Sequence, residues 1–434
     1  MARRTVITGM GWVTPLGHDI ESVWRRMLNG DSGVEKTTVF DASEYPTTFC
    51  AQVRDFDPRA FLGSRWQSHA GASRNTQFAL AAAELAWRDA GLADIAAVDP
   101  TRVGIYLGGG EGPIDFDNFA EAAIKGCRDD AGQLTALDTT RWARCAMQVL
   151  DPMRELEQDP NLAASHLAVR FNAQGPNLNT LTACAASTQA IGEAMHMIRH
   201  GDADLVITGG THSMIHPLGV TGFNRLTVLS TRNDSVQTAS RPFDRHRDGF
   251  VLGEGAGIVI LEDLEHAGNR GAAICGEVAG YGSTADAFRI TDIHEQGRGA
   301  IAAMQTAMES AGVGIADVDY ISAHGTGTVD NDKIETLAIR TLFGERAAKI
   351  PISSIKSMVG HLIAAAGVVE LISCVLAIRD GVVPPTINCH TPDPHCDLDY
   401  VANEGRKIPV GVALSNSFGF GGQNDTLVVK RFDG

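Results

Sequence analysis

The 434-residue sequence has no run of about 18 consecutive apolar residues, the signature of a helix that crosses a bilayer. A membrane span is therefore not expected. Basic residues are scarce: 36 Lys and Arg face 52 Asp and Glu, a net charge of −16, and no Lys/Arg block occurs. Binding to DNA or RNA is not expected from such a chain. Eight cysteines contain no CxxC pair, which predicts a reducing, cytoplasmic setting without a disulfide framework. Neither a GxSxG elbow nor a phosphate-binding P-loop appears. The opening MARRTVITGMGWVTPLG has two arginines, but Gly9, Gly11 and Pro15 interrupt its apolar stretch. It reads as a strand and turn, not a signal peptide. The glycine string GEGAGIVI runs into a strand rather than a helix, so no dinucleotide cofactor is expected.

What is present suits a folded α/β protein. Hydrophobic residues make up 44% and charged residues 20%, enough for a sizeable core. Short β-branched runs such as RVGIYLGGG, ADLVITGG and VDYISAHG alternate with longer alanine-rich stretches. That alternation predicts buried sheets flanked by helices. An internal repeat is visible. The segment FALAAAELAWRDAG with its following strand, and AAMQTAMESAG with its own, each combine a small-residue helix, an Ala-Gly stop at Gly91 or Gly312, and a glycine-rich strand end. NLNTLTACAASTQAIGEAM and IPISSIKSMVGHLIAAAG look like a second pair. Two similar halves are predicted, near 1–265 and 266–434, with roughly 50 extra residues in the first, within about 111–165.

Several residues could carry chemistry. Cys184 stands where a β-prone run gives way to a helix, and helix N–H groups there favour a thiolate. His324 follows a strand and opens HGTGT, with Thr326 and Thr328 on the same loop. His361 precedes another small-residue helix. Lys356 is expected to end the strand ISSIK, and Glu370 lies further along the helix. A Lys/Glu pair could fix a histidine electrostatically. In NSFGFGGQND, Phe418 and Phe420 could wall or gate a pocket. The remaining histidines, among them His69, His196, His200 and His212, have no comparable setting. Cys389, His390, His395 and Cys396 have metal-ligand chemistry, but two prolines and a wide spacing favour a plain surface loop, so no metal is expected.

Together, TACAAS, HGTGT, KSMVGHLIAAAG and NSFGFGG resemble the β-ketoacyl-acyl carrier protein synthases of the thiolase superfamily, most of all the elongating type II (FabF-like) branch. The resemblance covers nearly the whole chain except the insert. It implies a thiolase-like duplicated five-layered α/β/α/β/α fold, usually a homodimer, and condensation of a malonyl-acyl carrier protein with an acyl chain in fatty acid or polyketide synthesis. No cofactor of its own and no metal is implied. Cys184 would take the acyl chain. His324 and His361 would hydrogen-bond the malonyl thioester carbonyl, Lys356 would support them, and Glu370 would pair with the lysine. Thr326 and Thr328 would contact the pantetheine arm carried by an acyl carrier protein. Phe420 would gate the acyl pocket, its N–H joining that of Cys184 in an oxyanion hole. Arg225, Arg232, Arg245 and Arg247 would dock the acidic carrier. Gln423 stands where the family pattern has threonine, and the 111–165 region is expected to be longer than in relatives, with an effect on chain selection or pairing. Three alternatives remain. A thiolase would bring a second cysteine late in the chain, and an initiating synthase would have Asn where His361 stands. A non-catalytic chain-length partner, as part of a heterodimer, would lack the nucleophile.

Overall fold

The computed structural model describes residues 3–92, 98–112, 114–290 and 293–434. Residues 93–97 of the repeated segment and residue 113 of the expected insert lie outside them. Ten strands form one mixed sheet: β1 (Thr5–Val13), β2 (Val103–Gly108), β3 (Asn177–Thr180), β4 (Leu205–His212), β5 (Gly255–Asp263), β6 (Gly276–Ala285), β7 (Tyr320–Ser322), β8 (Ile352–Ser353), β9 (Val412–Gly419) and β10 (Gln423–Lys430). Their order is β8-β7-β9-β10-β6-β1-β5-β4-β2-β3. Read outward from the β6–β1 junction, both sides follow the same sequence of strands. The two five-stranded sets meet in a short antiparallel pairing of Val6 and Ile7 with Glu277 and Gly276.

The repeat extends to atomic detail. Helix Arg74–Asp89 lies against β1 because β1 offers glycine where the helix backbone approaches. A Cβ at Gly9 would come 2.2 Å from the Ala86 carbonyl oxygen, and one at Gly11 would come 2.2 Å from that of Ala82. On β6, Gly280 and Gly282 meet the Ala307 and Ala303 oxygens of helix Arg298–Ala311 at the same 2.2 Å. Both helices stop at a left-handed glycine, Gly91 (φ +70°) and Gly312 (φ +62°), as the Ala-Gly signals predict.

Two further helices, Ala186–His200 and Ala366–Asp380, run between the half-sheets. The second is buried at every position from Ala366 to Ile378, as expected of a helix apolar all round. They lock together where Val368 N–H donates to Ser187 Oγ at 3.0 Å, and the first is tied to β9 where the Thr188 and Ser417 hydroxyls meet at 2.7 Å. Helices Arg74–Asp89 and Leu162–Phe171 cover one outer face; Arg298–Ala311 and Val329–Phe343 cover the other. The result is five layers, α/β/α/β/α.

The second pair of repeated segments aligns Cys184 with Ala364: each lies in a short 3₁₀ turn, Ala183–Ala185 or Ile363–Ala365, directly before a central 15-residue helix. The preceding residues, Ala183 (φ +48°) and Ile363 (φ +46°), share the same strained backbone. Lys356 does not end a strand. β8 stops at Ser353, because Ser354 N–H turns to the Thr386 hydroxyl at 2.9 Å, and Lys356 opens the short helix Lys356–Val359. The first-half excess is helical. Phe116–Gly126 and Thr139–Val149 pair around Ala122, Cys145 and Ala146, followed by Pro152–Leu156. Its periodicity is faint in the sequence because so few of its residues are buried. Asp138 and Asp151 define the last two helices by accepting from their first N–H groups.

Candidate active site

The duplication brings the starts of the two central helices together, and the ionisable residues gather there. Cys184, His324 and His361 each present a ligand atom within 4.8 Å of the others. His361 Nε2 lies 3.0 Å from Cys184 Sγ. The His324 and His361 rings stand edge to face, 5.4 Å between centroids. All three are buried, at the base of a cavity of about 520 Å³ that Thr326, Thr328, Phe418 and Phe420 also line.

Hydrogen bonds set the tautomers. Lys356 Nζ lies 3.4 Å from His324 Nδ1, and an ammonium can only donate. Ile363 N–H donates to His361 Nδ1 at 3.2 Å. Both imidazoles therefore carry their proton on Nε2. Burial, reinforced by the nearby Lys356 charge, pushes both well below the ordinary histidine pKa. The centre thus holds two neutral N–H donors beside one sulfur.

Lys356, itself 1% exposed, is ion-paired with Glu370. Burial raises the Glu370 carboxyl, and the Lys356 ammonium opposes the rise. The same ammonium argues against a metal among Cys184, His324 and His361, since a dication would sit beside a buried cation.

One expectation needs revision. Cys184 does sit at a helix start, but burial pushes its thiol up to about 12; the Lys356 charge and the Phe420 backbone N–H oppose this without overcoming it. The resting sulfur is therefore a thiol rather than a thiolate. Phe420 N–H points at the sulfur, and Gly419 brings that loop against the Cys184 backbone N–H.

Other predicted residues separate. Thr326 and Thr328 hydroxyls pair at 3.0 Å on the cavity wall. Phe418 is buried against His324, whereas Phe420 is 37% exposed. Gln423 starts β10 opposite Gly419. Arg225 and Arg245 are exposed. Arg232 is half-buried and donates to the His246 carbonyl at 3.1 Å. Arg247 is not available for docking: it is 5% exposed and donates to the Thr328 and Val329 carbonyls at 3.0 and 2.8 Å. Cys389, His390, His395 and Cys396 are not all at the surface. Cys396 is buried, and Asp244 accepts from the His390 and Thr391 N–H groups.

The sequence reading missed Glu335 and Asp332. Glu335 is fully buried and accepts from the His324 and Gly325 N–H groups, both at 2.8 Å. Burial raises its carboxyl to about 7 against those bonds. Asp332 accepts from Gly327 and Phe243 N–H and pairs with Arg247. Together they fix the HGTGT loop. The available signal was two acids one helical turn apart immediately after that loop.

Comparison with known proteins agrees with this geometry. Residues 2–267 match the family description "Beta-ketoacyl synthase, N-terminal domain", and residues 275–390 match "Beta-ketoacyl synthase, C-terminal domain". The chain is 42% identical over 431 residues to a 3-oxoacyl-[acyl-carrier-protein] synthase 2 of Coxiella burnetii, covering 99% of both. It superimposes on the ketosynthase of an AntDE:AntF complex, a type II polyketide ketosynthase with its acyl-carrier protein, with TM-score 0.85, 35% identity and full coverage of both chains. The ishigamide ketosynthase/chain length factor gives TM-score 0.87 and 31% identity, again over all of both chains. On a thiolase-like five-layered fold, with sulfur and two imidazoles at the meeting of its halves, this chain belongs to the β-ketoacyl synthase family.

Proposed function

We propose that this chain is an elongating β-ketoacyl-acyl carrier protein synthase whose acyl chain is carried by Cys184. An acyl carrier thioester enters the cavity, and its pantetheine arm lies along Thr326 and Thr328. The Cys184 sulfur attacks the carbonyl; the tetrahedral oxygen is held by the N–H groups of Cys184 and Phe420; the carrier thiol leaves with the proton. Malonyl carrier then binds. Its carboxylate departs as carbon dioxide, and the electron pair moves into an enolate whose oxygen accepts from His324 and His361 Nε2–H. Neutral donors suit this step, because an imidazolium would protonate the carbanion. The enolate carbon attacks the Cys184 thioester, a carbon–carbon bond forms, and the sulfur leaves and regains a proton. Lys356 and Glu370 are positioning residues: the ammonium holds the His324 proton on Nε2. No group beyond these side chains and the carrier's pantetheine is required.

The observation that carries the proposal is the pair of Nε2–H donors beside one buried sulfur. A thiolase lacks such a reading here, since no second cysteine lines the cavity, and a non-catalytic partner would have no use for Cys184. Reaction with acyl and malonyl carrier thioesters should release carbon dioxide and give a β-ketoacyl carrier two carbons longer. Acyl transfer without that product would overturn the proposal.

We further propose a homodimer joined at β3, the sheet's terminal strand, with Leu178 exposed on it and Leu181 exposed just beyond it. The two halves, 1–265 and 266–434, act as one unit within it, and the helical insert modulates chain selection or pairing. Arg225, aided less by Arg232, would meet an acidic carrier. Among the described residues, no helix is long and apolar enough to cross a membrane, and all eight cysteines are free, which fits a cytoplasmic setting.

A further inference from the structure

We propose that the acyl chain ends in an oxygen-bearing group, and that His216 selects it. The inference rests on Cys184 as the acyl carrier. Its sulfur faces the pantetheine cavity on one side. On the other it joins an apolar cluster that includes Ile215, Val220 and Phe223. Ile215 and Phe40, which pack in or against that cluster, also line a second cavity of about 810 Å³ between the insert and the start of helix Arg74–Asp89. This second cavity shares no lining residue with the first. A chain leaving the thioester away from the pantetheine arm would therefore cross an apolar sleeve and end there.

The second cavity is not a receptacle for an alkyl end. Arg74, Asp115, Asp117, Asp151, Arg154 and Glu157 line it. Most of these charges are already engaged. Arg74 pairs with Glu254, and Arg154 Nη1 donates to Asp115 Oδ1 at 2.8 Å. Glu157 accepts from Ser73 N–H and the Thr76 hydroxyl, both at 3.0 Å, and contacts His166 at 2.8 Å. His216 differs. Its Nδ1 accepts the Gly219 N–H at 3.3 Å, capping helix Pro217–Arg225, so its proton is on Nε2. Among the described residues, that N–H meets only the Met214 sulfur, at 3.4 Å, a weak acceptor. Burial lowers the His216 pKa, in keeping with a neutral ring. A hydroxyl or carbonyl oxygen at the chain end would give this donor a proper acceptor, whereas a carboxylate would face a lining with four acids and two bases. A methyl end would strip water from polar walls and return nothing.

The test is the rate of Cys184 acylation by decanoyl- and ω-hydroxydecanoyl-pantetheine, followed by intact protein mass. The native protein should favour the hydroxylated chain by about tenfold in kcat/KM, since sites that hydrogen-bond a substrate reject analogues lacking the group. His216→Phe should abolish that preference, and His216→Gln, which keeps an N–H donor, should retain part of it. Comparing both thioesters on one variant cancels any general loss of folded protein. A native preference for decanoyl, or a ratio unchanged in His216→Phe, would overturn the inference. A native protein not acylated even by butyryl-pantetheine would instead fail the reading of Cys184, and the inference with it.

Discussion

Positions 184 and 364 are the same place in two copies of one unit, yet only the first bears a thiol. Their 3₁₀ turns, strained preceding residues and 15-residue helices match. The strand registers extend the comparison. Ile105 and Ile321 occupy equivalent positions, so His324 corresponds to Gly108. At Gly108 a side chain would strike the Ala186 and Ser187 backbone at 2.5 Å. The first half thus gives up a side chain there and supplies the sulfur, and the second supplies both imidazoles and the ion pair that orients one of them. Duplication makes the meeting point; divergence divides the labour. Neither half holds a complete site.

Removing the asymmetry should have the largest effect. Cys184→Ala gives the first half the residue found in the second and should lower condensation by at least about a thousandfold. Adding Ala364→Cys to that variant should not restore the rate, because the His361 Nε2–H is aimed at position 184. Recovery of product in this double variant would break the comparison. Next comes the ion pair found only in the second half. Lys356→Ala leaves Glu370 buried without its partner and should cost about 3–5 kcal/mol in chemical denaturation. The shared scaffold should respond symmetrically: Gly9→Ala and Gly280→Ala each press a Cβ on a helix carbonyl, and each should cost roughly 1–3 kcal/mol. Strongly unequal costs would mean that the two sheet–helix contacts are not equivalent.

The smallest effect concerns the insert. Burial opposes ionisation of Glu157, but bonds from His166 and from Ser73 N–H outweigh it and hold the carboxyl at about 2. A depressed carboxyl stabilises above its ordinary pKa of 4.5, and that contribution fades as pH falls from there through about 2. Glu157→Gln should therefore flatten the acid limb of the stability profile by roughly 1–2 kcal/mol, read from denaturation midpoints. An unchanged limb would remove Glu157 from the account.

Much of this was legible in the chain. Small-residue helices with their Ala-Gly stops carry the repeat in plain view, and Cys184, His324, His361 and Lys356 stand in distinctive local settings. Glu335 and Asp332 were hidden because a buried acid looks like a solvated one until its partners, here loop N–H groups, are known. Arg247 misled for the same reason: its partners include carbonyls about 80 residues away and the Asp332 and Asp393 carboxylates. The high thiol pKa of Cys184 depends on enclosure, which local sequence does not encode.

The decisive measurement is the intact mass of the protein after mixing with an acyl-acyl carrier protein, followed by peptide mapping. One acyl group on Cys184, absent from Cys184→Ala and discharged as β-ketoacyl product when malonyl carrier is added, is the predicted result. An acyl group lodged elsewhere, or one that malonyl carrier cannot discharge, would contradict it.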